Sequence, residues 1–352
     1  MEFNIKGIKF TLEDLAIISL VDLKPNTIST SHLFYLLGAQ KKPILLLRAG
    51  DFIEKSFIEK YTQKGVQSLH HLPIVNEELL AKYKSFLNDF KMARRQVDQL
   101  ELRDTILLSV VEDFLAKNDE CFLTWVIACF ETFYFLPSEY VTKYQEQSMA
   151  LYTRALLVSS MSTIVLLANG HIDYLFLRDF FNLAFMMDYG LLSDVGVDYT
   201  MIRACELERS CPGEGISFVE KNSIGNEESA RFKNHPLRSF EKIMLNEALF
   251  VYPEVIEMIK MHHEKQDGSG FPEGYFYSGL SDTETVLILC DHVIPFEEFI
   301  FHPGDGVKVL LNSFESINDI DPNQKLPIRK LMKQWNAFID WFNQQEGKVV
   351  SG

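Results

Sequence analysis

The richest chemistry in this chain lies in the eleven residues 262–272, where His262 and His263 run through Glu264, Lys265, Gln266 and Asp267 into Gly268-Ser269-Gly270-Phe271-Pro272. Two adjacent imidazoles offer nitrogen ligands suited to iron, manganese or zinc. The glycines let backbone approach a ligand that a side chain would block. Together they suit a metal-bound phosphate site. Two other histidine groups carry less. His70-His71 has no companion ligand nearby, and His171 follows the turn Asn169-Gly170, so both read as surface or helix-start residues. The cysteines, Cys121, Cys129, Cys205, Cys211 and Cys290, are odd in number and lack paired ligand spacing, which points to a reducing, cytoplasmic setting.

The elements that must hold the histidines read as helices. From Gln145 to Pro303 the apolar spacing is helical, with breaks at Asn169-Gly170, Gly190, Pro212-Gly213 and the glycine turn. Residues 223–228 open the helix that carries His235, with Glu227 and Glu228 at its positive end. Residues 192–222 form either a surface insertion or a lid. Residues 76–144 read as a helical linker region, within which the apolar stretch Cys121 to Leu136 suits a core helix or a homodimer seam. Residues 1–75 differ: a strand over Pro43 to Arg48, a helix over Asp51 to Thr62 and a turn at Gly65 into another strand make a small α/β module. The expected fold is mainly α, an all-helical domain over 145–352 behind that module. At 352 residues and 47% hydrophobic composition the chain suits two globular domains. No export signal is evident, and no apolar run reaches the roughly 18 residues of a membrane span. The net charge of −15 argues against a nucleic-acid polymer as partner, while a small dianionic dinucleotide remains compatible.

The run His262 to Pro272 resembles the signature of the HD-GYP proteins, metal-dependent hydrolases of cyclic di-GMP. Three further landmarks follow the family's order. Met187-Asp188-Tyr189-Gly190-Leu191 stands where the family writes His-Asp-x-Gly-Lys, His235-Pro236 comes next, and Asp291 follows the apolar run Val286 to Cys290. The spacings agree, with 27 residues from His235 to His262 and 29 from His262 to Asp291. The resemblance implies an HD-type helical domain in which Asp188 bridges metals and His235, His262, His263 and Asp291 complete the ligands. It also implies that Met187 replaces a ligand histidine and that Leu191 replaces a lysine suited to phosphate contact. The family's first histidine falls in Tyr152-Thr153-Arg154-Ala155-Leu156-Leu157, which holds no ligand.

Both missing ligands would serve the same metal, so at most one divalent transition-metal ion, iron or manganese, is expected; an empty relic and a rebuilt two-metal site are the alternatives. The chain reads as a degenerate member that binds nucleotide or a protein partner, against an active cyclic-di-GMP phosphodiesterase or a nucleotide-free scaffold. Cyclic di-GMP or a related dinucleotide would lie over Gly268, Ser269, Gly270, Phe271 and Pro272, its base stacked on Phe271 and its phosphates near Arg231, Lys233, Arg238 or Lys265. In the family this loop is also linked to partner docking.

Overall fold

A computed structural model describes residues 2–296, apart from 39–40, 116–120, 194–195, 212, 223–225, 265–267, 269 and 275–280, together with residues 340 and 344. Lys265 and Ser269 therefore lie outside the described residues.

The N-terminal module is strand-rich. Strands β1 (Glu2–Ile5) and β2 (Ile8–Thr11) form a hairpin. Then follow β3 (Ala16–Ser19), β4 (Thr27–Ile28), β5 (Ser31–Leu37), β6 (Lys42–Leu47), β7 (Phe52–Ile53), helix α1 (Lys55–Gln63) and β8 (Ser68–Pro73). The main sheet has the order β3-β8-β5-β6, every pairing antiparallel, and β4 pairs with β7. The expected strand at 43–48 and helix at 51–62 correspond to β6 and α1; residues 52–53 are instead the strand β7, and α1 starts after them.

Residues 76–144, expected as a linker region, form α2 (Glu77–Met92), α3 (Gln96–Leu115), α4 (Cys121–Phe133) and α5 (Ser138–Gln147). Asn76 caps α2 by accepting the Glu78 and Leu79 amides. These helices share one core with α6 (Met149–Ala168) and α7 (Tyr174–Met186). Trp125, Val126, Ile127 and Ala128 of α4 are fully buried within this chain, so the stretch considered as a dimer seam already spends its apolar surface on the internal core.

Helix α6 is the axis of the helical region. Residues 151–167 are all buried, and α3, α4, α5, α7 and a later helix, α11 (Asp282–Val293), pack around it. By length and composition it is long and apolar enough to cross a membrane, which corrects the expectation that no stretch reaches that length; 94% of its most apolar window is buried inside the protein. Its serines and threonines interrupt the apolar run in the sequence. Thr153, Ser159, Ser162 and Thr163 return their hydroxyl protons to carbonyls one turn back, so their burial leaves no donor unsatisfied. Tyr152 ties the axis to the N-terminal module by donating to the Gly50 carbonyl at 2.8 Å.

The chain continues through a tight turn at Tyr189–Leu191, α8 (Tyr199–Ser210), α9 (Glu214–Lys221), α10 (Asn226–Met244), a 3-10 stretch at Pro253–Met261 and α11 (Asp282–Val293). Segment 192–222, read as insertion or lid, is thus mostly the pair α8 and α9. It is anchored to the domain: Arg209 donates to the His292 carbonyl at 2.7 Å, and Glu206 accepts the Phe296 amide at 3.1 Å.

Candidate metal centre

His235 sits on α10 directly before Pro236. A proline has no N–H, so Pro236 leaves the Phe232 carbonyl, four residues earlier, without its helical donor. The His235 ring takes that place, with Nδ1 at 2.7 Å from the Phe232 oxygen. A carbonyl only accepts, so the ring proton is on Nδ1 and Nε2 presents a lone pair. His262, at the end of the 3-10 stretch, repeats the device with Nδ1 at 2.6 Å from the Ile259 oxygen. The two Nε2 atoms then face each other at 3.1 Å, and both rings are buried. Burial holds the His235 imidazole well below its usual pKa, so this ring is neutral near pH 7.

A cation held by both Nε2 atoms would satisfy the two opposed lone pairs. Asp188 Oδ1 lies 3.6 Å from His235 Nε2, is buried, and has no hydrogen-bond partner among the described residues. His263 completes the group: ligand atoms of Asp188, His235, His262 and His263 all fall within 4.8 Å of one another. Three imidazoles and a carboxylate make a first-row transition-metal shell, and an ion there would satisfy the orphaned acceptors at once. When bound, such an ion supplies Lewis acidity and a more acidic bound water.

Asp188 and His235 approach closely because Gly190 permits it. A Cβ on Gly190 would meet the His235 carbonyl oxygen at 2.2 Å and the Arg238 Cβ at 2.9 Å. Ser239 clamps the same crossing, accepting the Gly190 amide at 2.7 Å and donating to the Met187 carbonyl at 2.8 Å. Gly190→Ala is expected to destabilise the fold by about 1–3 kcal/mol through overpacking against rigid backbone, measured by urea unfolding. A loss below about 0.5 kcal/mol would mean that α10 yields freely and the crossing is not what sets the site.

The fifth expected ligand goes elsewhere. Asp291 does not join the four converging groups; its carboxylate accepts from Arg154 Nη2 at 2.5 Å, and its carbonyl accepts from the same nitrogen at 2.7 Å. Arg154 Nη1 donates to the second oxygen of Asp188, and Nε donates to the Ile294 carbonyl at 3.1 Å. The guanidinium also lies 3.8 Å over the Phe296 ring. Arg154 is 0% exposed. It belongs to the stretch 152–157, which holds no metal ligand in the sequence, and it links Asp188 to Asp291. Burial pushes the Asp188 carboxyl up from its ordinary value, against the pull of Arg154. Buried between two carboxylates, the guanidinium is a permanent positive charge.

The glycine loop is placed less as expected. Phe271 is 4% exposed and stacks on His263, with centroids 4.5 Å apart, while Phe232 lies 5.6 Å away on its own centroid. Lacking a hydroxyl, the ring has no reason to stay at the surface and becomes packing for a ligand histidine; the base-stacking role read from sequence is not available to it in this position. Glu264 closes the loop by accepting the Glu273 amide at 2.8 Å. Gly268 and Gly274 have φ of 74° and 67°, which favours glycine at both. Of the expected phosphate contacts, Lys233 is paired with Glu220 at 2.7 Å, whereas Arg231 and Arg238 line a cavity that none of the four converging ligands touches. Met187 and Leu191 are buried in the core.

No family model matches the chain, and no curated protein matches it. Among solved structures it is similar to Bd1817, described as an HDG"Y"P protein, from Bdellovibrio bacteriovorus, with 17% identity, 93% of this chain and 99% of that chain covered, and a TM-score of 0.37.

Proposed function

We propose that this protein is a degenerate HD-GYP-type domain of cyclic-di-GMP signalling that holds a single iron or manganese ion and acts by binding nucleotide or a protein partner rather than by hydrolysis. The observation that carries this reading is Arg154. Its guanidinium joins the Asp188 and Asp291 carboxylates and leaves one convergent group of metal ligands beside it among the described residues. Phosphodiester hydrolysis by two metals depends on clamping the attacking and leaving oxygens together. An internal arginine supplies charge but cannot coordinate a water and acidify it as a metal ion does. The landmarks Asp188, His235-Pro236, His262-His263 and Gly268 to Pro272 support the family assignment, and the orphaned Asp188 oxygen supports occupancy by one ion.

The test is elemental analysis of the full chain purified without chelator, coupled to an assay for linearised dinucleotide. One ion per chain and no conversion of cyclic di-GMP is the expected result. Turnover that requires added manganese or iron and disappears in His263→Ala would overturn the non-hydrolytic reading.

A further inference from the structure

We infer that the cavity beside the metal centre is a second binding site, built for a phosphorylated sugar or nucleotide. The cavity has a volume of about 560 Å³, within the range of small-molecule sites. Lys143, Arg231, Arg238 and Lys242 line it, together with Glu227 and Glu228. An excess of cations is notable in a chain of net charge −15, because it cannot be a by-product of a basic protein. None of the four converging metal ligands contributes to the lining, so this is a separate site.

Arg231 points to an anion. It is 8% exposed, and its Nε is buried without a hydrogen-bond partner among the described residues. A guanidinium removed from water normally has its donors satisfied, since an unpaired buried charge is strongly destabilising. Arg231, Arg238 and Lys242 recur on α10 at spacings of seven and four, and so form one helical stripe along the cavity. Two forked guanidiniums flanked by ammonium groups match the oxygens of a phosphate monoester, which two arginines can grip at several points. The carboxylates of Glu227 and Glu228 would repel a bare anion but accept hydrogen bonds from hydroxyl groups. That combination selects a phosphate ester carrying a polyol over inorganic phosphate. His235 lies on the same stripe, between Arg231 and Arg238, so a ligand here would brace the helix that carries a metal ligand.

Calorimetry on the full chain with ribose 5-phosphate, inorganic phosphate and ribose tests this, with metal content measured in every sample so that a failure of the metal reading is seen separately. Ribose 5-phosphate is expected to bind more tightly than inorganic phosphate, and ribose not at all. Arg238→Gln should weaken binding by roughly tenfold or more, as loss of a charge-assisted contact implies. Lys242 is exposed, so Lys242→Gln offers a folded variant with a smaller loss in the same direction. No heat with ribose 5-phosphate at concentrations on the order of 10 mM would overturn the proposal. Wild-type affinity in both variants would do so too, and equal affinity for inorganic phosphate would overturn the part given to Glu227 and Glu228.

Discussion

Arg154→Leu is expected to destabilise the protein by about 3–5 kcal/mol, the usual consequence of removing one partner from a buried ionic group. The side chain is fully buried and engages Asp188, Asp291 and the Ile294 carbonyl, so its loss leaves two carboxylates with no guanidinium between them. Leucine approximates the stem of arginine, which keeps cavity formation from dominating the result. The pH dependence gives a second readout. Burial already holds the Asp188 carboxyl above its ordinary value against the pull of Arg154, and without the guanidinium it rises further. The unfolded chain then releases protons more readily, and the variant loses stability as pH rises through the ordinary carboxylate range near 4. The deficit against wild type should therefore be large at pH 7 and smaller below about pH 4. Adding Asp291→Asn to Arg154→Leu should recover part of the loss at pH 7. Urea unfolding of the variants at both pH values measures this; a deficit under about 1 kcal/mol at pH 7 would show that the group is weakly coupled to folding.

Most of the site's polar atoms were legible in the sequence because motif order carries them. Asp188, His235 and the pair His262-His263 come from three separate segments, yet the landmarks named them and the fold brings them within 4.8 Å. Arg154 does not stand out as a site residue in the sequence because arginine is not a metal ligand. The signal was present all the same. Arg154 is the sole charged residue in the twenty residues of α6, and a lone charge inside an apolar helix requires a buried counter-charge. Asking which acid answers it would have pointed to Asp188 and Asp291. Phe271 was misjudged for the opposite reason, since reading it by its place in a motif ignored that a ring without a hydroxyl gains most by burial. The helices were clear over long periodic stretches such as α2, whereas α6, buried on every side, has no polar face to mark the period. The short strands β1 to β4 were not clear, because two to four residues give too little alternation to separate them from loop.

Changing Arg154 and Met187 together to histidine is expected to raise the metal content from one ion per chain to two. Each replacement alone should leave it at one. Met187→His adds an imidazole next to Asp188, but the guanidinium still joins Asp188 to Asp291. Arg154→His removes the resident cation and frees both carboxylates, yet it leaves methionine, a poor ligand for hard or borderline divalent ions, beside Asp188. Only the double variant pairs two new imidazoles with the released carboxylates, which is enough for a second first-row site. Metal binding would also offset part of the stability lost with the arginine, since an ion that binds only the folded chain shifts the unfolding equilibrium by mass action. The melting temperature of the double variant should therefore rise with added manganese or iron by more than that of wild type, a readout that does not depend on activity. If elemental analysis finds two ions in the unmodified chain, or one in the folded double variant with excess metal, Arg154 is not what limits this centre to a single ion.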